Sequence, residues 1–248
     1  LRDVRSHRHR GEEGHCYAGE RYVPSGEAMT VDEVITLLRK QHGMPERRPR
    51  LDPLSELIAT ILSQNTSDVN SGRAFANLVA TFGTWDKVAD ADVDRISEAI
   101  ASGGLNRVKA PRIKAILHRI EKEKGSLDLG FLEKMPLAEA RGWIESLPGV
   151  GPKTAACVLL FSLGRPALPV DTHVYRVAQR IGLIDKKVSP DNAHRILGKM
   201  VSPDDVYEFH MNMVCHGRKV CRSRSPLCGG CLLNKGCKYG KRALRRAG

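Results

Sequence analysis

Aromatic residues make up only 5% of this 248-residue chain. Base-stacking platforms for single strands need them in number, so that kind of surface is not expected. Sustained alternation of apolar and polar residues is missing too, which removes the signature of half-buried strands. No apolar run is long enough for a signal segment or a bilayer span, so no membrane partner is expected. Acids are scarce against bases: 28 Asp and Glu face 40 Lys and Arg, a formal charge of +12. An excess of this sign favours polyphosphate, and with so few aromatics it points to duplex phosphates. Seven cysteines in a chain of this length are too few for a disulfide scaffold. Reduced thiols and an intracellular setting are expected, cytoplasmic and nucleoid-associated if the source is prokaryotic.

What is present reads almost throughout as helix, so the fold class is all-α. Thr30-Val-Asp-Glu33 is a capping box ahead of an apolar run. Asp52-Pro53 caps and opens a helix carrying Leu54, Leu57, Ile58, Ile61 and Leu62. The period predicts further helices over 68–82, 92–100, 108–124, 137–147, 152–163, 172–183, 190–200 and 203–216. Gly83, Gly103-Gly104, Gly125, Gly164 and Gly217 stand where helix stops belong. Residues 1–29 are rich in Arg, His, Gly and Glu without apolar periodicity, and predict a disordered basic tail. His7, His9 and His15 belong to that tail rather than to a metal site. Other basic runs lie at 47–50 and 238–246.

Four cysteines, Cys221, Cys228, Cys231 and Cys237, follow one another at intervening spacings of six, two and five residues. Four thiolates on so short a loop converge on a metal centre. A zinc ribbon and an iron–sulfur cubane both fit, although the single Cys-x2-Cys pair departs from the usual ribbon pattern. Cys16, Cys157 and Cys215 are scattered and read as small apolar residues.

Leu147-Pro-Gly149-Val150-Gly151 lies between two predicted helices, with Pro152 set for the first turn of the second. Backbone N–H groups exposed in such a turn can grip a phosphate without reading sequence. Lys153 falls in that first turn, where the helix dipole disfavours a cation and so favours the nucleophilic amine. The plainer alternative is a lysine that contacts phosphate. Asp171 reads as the cap of the next helix, or as a carboxylate facing Lys153 across a cleft. His173 reads as packing or orienting rather than as a base.

Taken together, Leu-Pro-Gly-Val-Gly-x-Lys-Thr-Ala at 147–155, Val-Asp-Thr-His at 170–173 and Cys-x6-Cys-x2-Cys-x5-Cys at 221–237 resemble the endonuclease III branch of the helix–hairpin–helix DNA glycosylases. The resemblance runs from about Thr30 to Tyr239. It implies a six-helix barrel over 52–167 and a second helical domain joining 30–51 to 168–240, with the active site in the cleft between them. It also implies a [4Fe–4S] cluster on the four cysteines, with Arg222 and Arg224 of the cluster loop touching phosphates. Lys153 becomes the nucleophile that attacks the sugar and supports β-elimination, and Asp171 the carboxylate that stabilises the cationic transition state. The target nucleotide must leave the stack, and the loop with Gln64 and Asn65 would fill the space it vacates.

Two positions depart from the family pattern: the Gln64-Asn65 pair, and Pro152 where relatives often carry Arg or Lys. The implied activity is a bifunctional glycosylase/AP lyase acting on damaged double-stranded DNA as a monomer, with oxidised pyrimidines as first target. Mismatched uracil or thymine, adenine, and a non-catalytic DNA-binding module are the alternatives.

Overall fold

The computed structural model describes residues 29–47 and 50–245. Residues 1–28 of the tail predicted over 1–29, with its histidines and the basic run at 2–10, lie outside the described residues, as do 48–49 and 246–248. There is no strand among the described residues. No helix among them is long and apolar enough to cross a membrane.

Local chemistry explains where the first helices begin. In α1 (Val31–His42) the Thr30 hydroxyl accepts from Glu33 N at 3.2 Å, and the Glu33 carboxylate accepts from Thr30 N at 2.8 Å. In α2 (Pro53–Ser63) Asp52 Oδ1 accepts from the N–H groups of Leu54 and Ser55. Ser67 caps α3 (Asp68–Phe82), which Gly83 ends at φ 78°. Then follow α4 (Trp85–Asp90), α5 (Val93–Ala99), α6 (Asn106–Lys124) and α7 (Leu137–Glu145). Helix α8 (Pro152–Cys157) continues through one π turn over Val158–Ser162. The remaining helices are α9 (Thr172–Ile181), α10 (Pro190–Met200), α11 (Val206–Lys219) and α12 (Lys238–Arg245).

Two of these were not anticipated. Helix α4 has six residues, too few to display a period. In α12 the side chains are mostly charged and only Gly240 is buried, so the segment reads as a basic run rather than a helix. One predicted stop is corrected as well: Gly217 lies inside α11. It is needed for close approach, since a Cβ there would stand 2.8 Å from His173 Cβ.

The apolar faces collect into two buried clusters. The first surrounds α2, whose Leu57, Ile58, Ile61 and Leu62 are fully buried against Leu78, Ile116, Leu117, Ile144 and Leu159. The second joins Val34 and Leu38 of α1 to Val174, Val177 and Ile181 of α9 and to Phe209 and Met213 of α11. Cys221, Leu233 and Cys237 close it. Met29, expected in the tail, is buried in this second cluster beside Gly236. The π turn divides one helix between the clusters: Val158 and Leu159 face the first, and Leu160 the second. A bidentate pair from Arg39 to Glu208, both contacts 2.7 Å, ties α1 to α11.

Truncating the fully buried Ile58 to Ala is expected to lower the unfolding free energy by about 2–5 kcal/mol. Urea denaturation measures it, and an unchanged midpoint would mean that α2 is not the centre of its core.

Candidate active site

Lys153 and Asp171 line one cavity of about 430 Å³, together with Glu56, Cys157, Tyr207 and Arg218. Lys153 stands half-buried in the first turn of α8. Its Nζ makes no hydrogen bond or ion pair among the described residues. Asp171 caps α9 with one oxygen only: Oδ1 accepts from His173 N at 2.9 Å and Val174 N at 2.8 Å. Oδ2 has no hydrogen bond among the described residues, so the cap leaves half the carboxylate available. The cavity therefore offers an amine without a hydrogen-bond partner and a free acceptor oxygen.

The segment before Asp171 is held by two histidines. His210 Nδ1 lies 2.8 Å from Pro169 O, and His194 Nε2 accepts from Val170 N at 3.0 Å. His194 Nδ1 is 3.1 Å from Pro190 O, so a neutral ring with its proton on Nδ1 satisfies both contacts. His173 packs against Gly217 with its Nδ1 3.1 Å from the Arg176 guanidinium. Burial lowers its pKa, which favours the neutral ring. Cys157, one turn beyond Lys153, is buried, and burial pushes its thiol up to about 11.

The hairpin immediately precedes Lys153 along the chain. Val150 N donates to Leu147 O at 3.1 Å, forming the turn, and Gly149 sits at φ 68°, where only glycine is comfortable. The N–H groups of Gly149 and Gly151 make no hydrogen bond among the described residues. Val150 turns its side chain inward and offers only backbone. Arg112 of α6 crosses over Gly149 and donates to Gln64 Oε1 at 3.1 Å. Gln64 Nε2 in turn donates to Thr154 at 3.3 Å. Gln64 is thus tied between α6 and α8, whereas Asn65 is exposed at φ 55°.

Several residues escaped the sequence reading. Leu105, at φ 52° and 52% exposed, is a large apolar side chain presented on a strained turn. Its one sequence signal is the Gly103-Gly104 pair before it. Lys109 of α6 is 2% exposed, its ammonium donating to Leu62 O at 2.7 Å and Gly103 O at 2.9 Å. Arg180 of α9 donates to the carbonyls of Arg222 at 2.6 Å and Ser223 at 3.0 Å, and stacks 4.2 Å from the Tyr239 ring. It shapes the loop on which Arg222 and Arg224 are exposed.

All four loop cysteines line one small cavity with Ile181, Val220 and Leu227. No described cysteine forms a disulfide. Burial raises Cys228, Cys231 (to about 11) and Cys237, so only a central cation would keep them as thiolates. Among the described residues no three Cys, His, Asp or Glu side chains form a set that could hold one metal ion. His216 Nε2 lies 3.6 Å from Cys231 Sγ, and Arg180 donates to Cys221 Sγ at 3.4 Å.

Residues 58–203 match the family described as HhH-GPD superfamily base excision DNA repair protein. The chain belongs to that superfamily. Among HhH-GPD relatives, endonuclease III of Sulfolobus acidocaldarius is 34% identical over 185 residues, covering 74% of this chain and 80% of its own. A protein of Arabidopsis thaliana named as a DNA glycosylase is 39% identical over 168 residues, or 68% of this chain. The match spans 57% of the plant protein's length. A solved non-covalent endonuclease III–DNA complex superposes with a TM-score of 0.74 at 28% identity, covering 87% of this chain and 97% of that one. This HhH-GPD chain is therefore similar to endonuclease III in sequence and in fold.

Acid tests the His194 contact. Burial lowers its pKa from the ordinary value near 6.5, so the unfolded chain binds more protons than the folded one as pH falls below that value. The contribution of His194 is whole above about pH 6.5 and is lost as pH falls through the lowered folded value. His194→Gln is expected to flatten the slope of unfolding free energy between about pH 5 and 7. Urea titrations across that range measure it, and an unchanged slope would mean that His194 charges freely in the folded protein.

Proposed function

We propose that this HhH-GPD protein is a bifunctional DNA glycosylase/AP lyase that removes damaged bases from duplex DNA, oxidised pyrimidines first. The observation that carries the reading is the shared cavity in which Lys153 Nζ is without a partner and Asp171 keeps one free oxygen. Lys153 Nζ adds to C1′ of the extruded nucleotide as the N-glycosidic bond breaks, and the base leaves with a proton. Asp171 Oδ2 stabilises the positive charge that develops on the sugar. Loss of a nitrogen proton and of the ring oxygen's bond to C1′ gives an imine on Lys153. Removal of a C2′ proton then expels the 3′ phosphate.

The free N–H groups of Gly149 and Gly151 would hold a backbone phosphate beside the cavity, with Val150 contributing its backbone. Arg222 and Arg224, exposed on their loop, would add further phosphate contacts and a dependence on salt. Gln64 is held by Arg112 and Thr154, which favours Asn65 as the side chain that enters the space left by the nucleotide. Leu105, apolar and exposed on the neighbouring turn, would enter beside it as a wedge.

Cys221, Cys228, Cys231 and Cys237 would hold a [4Fe–4S] cluster. All four thiols line one small cavity, and their six-two-five spacing lacks the second Cys-x2-Cys pair usual in a zinc ribbon. Bound there, the cluster would brace the loop that carries Arg222 and Arg224. The two buried clusters are proposed to be two domains, 52–167 and 30–51 with 168–240, in a monomeric protein of the cell interior.

Borohydride trapping on duplexes with an abasic site, thymine glycol or no lesion tests the reading. A covalent adduct is expected on the first two and none with Lys153→Ala. Asp171→Asn keeps the cap and is expected to slow base excision by about 100-fold or more. Binding without any adduct from the native protein would overturn the lysine mechanism in favour of a non-catalytic DNA-binding module.

A further inference from the structure

Lys109 is the largest fully buried side chain outside the apolar set. An ammonium taken out of water is normally matched by a carboxylate, yet no ion pair among the described residues includes it. Its two contacts are both backbone carbonyls, Leu62 O at 2.7 Å and Gly103 O at 2.9 Å. Leu62 is in the last turn of α2, whose unpaired carbonyls carry partial negative charge. Gly103 ends the short turn after α5.

Burial, and after it the nearby Arg112, lowers the pKa of the group, so keeping the ammonium here is a cost that the fold tolerates. A core position of this kind would be filled more cheaply by methionine or leucine. What the charge achieves is positional. The two carbonyls belong to two different segments, the end of α2 and the turn after α5, that are 47 and 6 residues from Lys109 along the chain. One leads in three residues to Asn65 and the other in two residues to Leu105. These are two of the three non-glycine residues with positive φ among those described, and both are exposed.

Gly103 is also the one residue the turn admits there, because a Cβ would stand 2.9 Å from Ala74 Cβ. The turn is thus pressed against α3 and pinned from beneath by Lys109.

We infer that Lys109 is a positioning residue: its buried ammonium locks the Leu62 and Gly103 carbonyls together and so fixes Asn65 and Leu105 as one rigid two-pronged wedge. The inference rests on the proposed base excision from duplex DNA and says which residue makes that step possible. Lys109 touches no reacting atom. It sets the spacing and direction of two side chains that must enter the helix together, and a loose prong would leave the duplex free to close again.

The test compares substrates that need the wedge with one that does not. The native full chain and Lys109→Met, which fills the same space without donors, would be assayed on a thymine glycol duplex and on a single-stranded oligonucleotide with a preformed abasic site. Lys109→Met is expected to lose about 100-fold or more in duplex base excision, while strand cleavage of the single-stranded abasic site stays within about threefold. Adding Leu105→Ala to Lys109→Met should then cost much less than Leu105→Ala costs in the native chain, because the prong is already misplaced.

Lys109→Gln, which keeps one donor, should recover part of the loss and stands in for Lys109→Met if that variant does not fold. Parallel loss on both substrates would make Lys109 a packing residue and overturn the inference, and so would no loss on either. A native chain that cleaves neither substrate would instead overturn the proposed function.

Discussion

One helix serves two cores. The run that begins at Pro152 gives Val158 and Leu159 to the cluster around α2, then widens by a π turn and gives Leu160 to the cluster around α9. A π turn adds a residue to one turn of the helix, so every side chain beyond it is displaced from the face that an uninterrupted α-helix would give it. Lys153 is attached to the start of this shared helix, and Asp171 stands a short connection beyond its end. The cavity they line is therefore set by how two packed interiors share one strut. Its walls cannot shift independently without opening one interior or the other.

The second constraint is electrostatic. With 40 bases against 28 acids, at least twelve cations have no acid to meet, and ion pairs such as Arg39–Glu208 are few among the described residues. The structure divides the surplus into two uses. Some cations satisfy backbone carbonyls at loop ends: Arg180 at 222 and 223, Arg176 at Gly217, Arg165 at Leu132, Lys114 at Ala91 and Lys109 at two sites. Others, such as Arg222 and Arg224, remain at the surface, where they favour a phosphate-bearing partner. A basic composition thus accounts for loop rigidity as well as for affinity, which net charge alone would not suggest.

How much of this could be read from the chain depended on how local the cause was. Caps at Thr30, Asp52 and Ser67 act across two or three residues, and the structure forms them where hydroxyl or carboxylate precedes an apolar period. Lys153 and Asp171 stood out by motif, and the fold brings both to one cavity. Lys109 did not stand out, because nothing in Asn-Arg-Val-Lys distinguishes a buried lysine from a solvated one. One of its two contacts is the end of α2, 47 residues away. Gly217 looked like a stop because glycine ends helices more often than it admits a neighbouring His173 ring. Helix α12 was concealed by charge, since its anchoring contact is the backbone of Gly240 donating to Cys237 Sγ rather than an apolar stripe.

One thiol lines the same cavity as Lys153 and Asp171. Cys157 lies beside the amine and the carboxylate that line the cleft, yet burial holds it in the protonated form, its pKa near 11. Peroxide attacks thiolate and largely ignores thiol. A thiol held protonated in this way reacts slowly with peroxide, so the cavity keeps a sulfur beside the amine and the carboxylate with little exposure to oxidation.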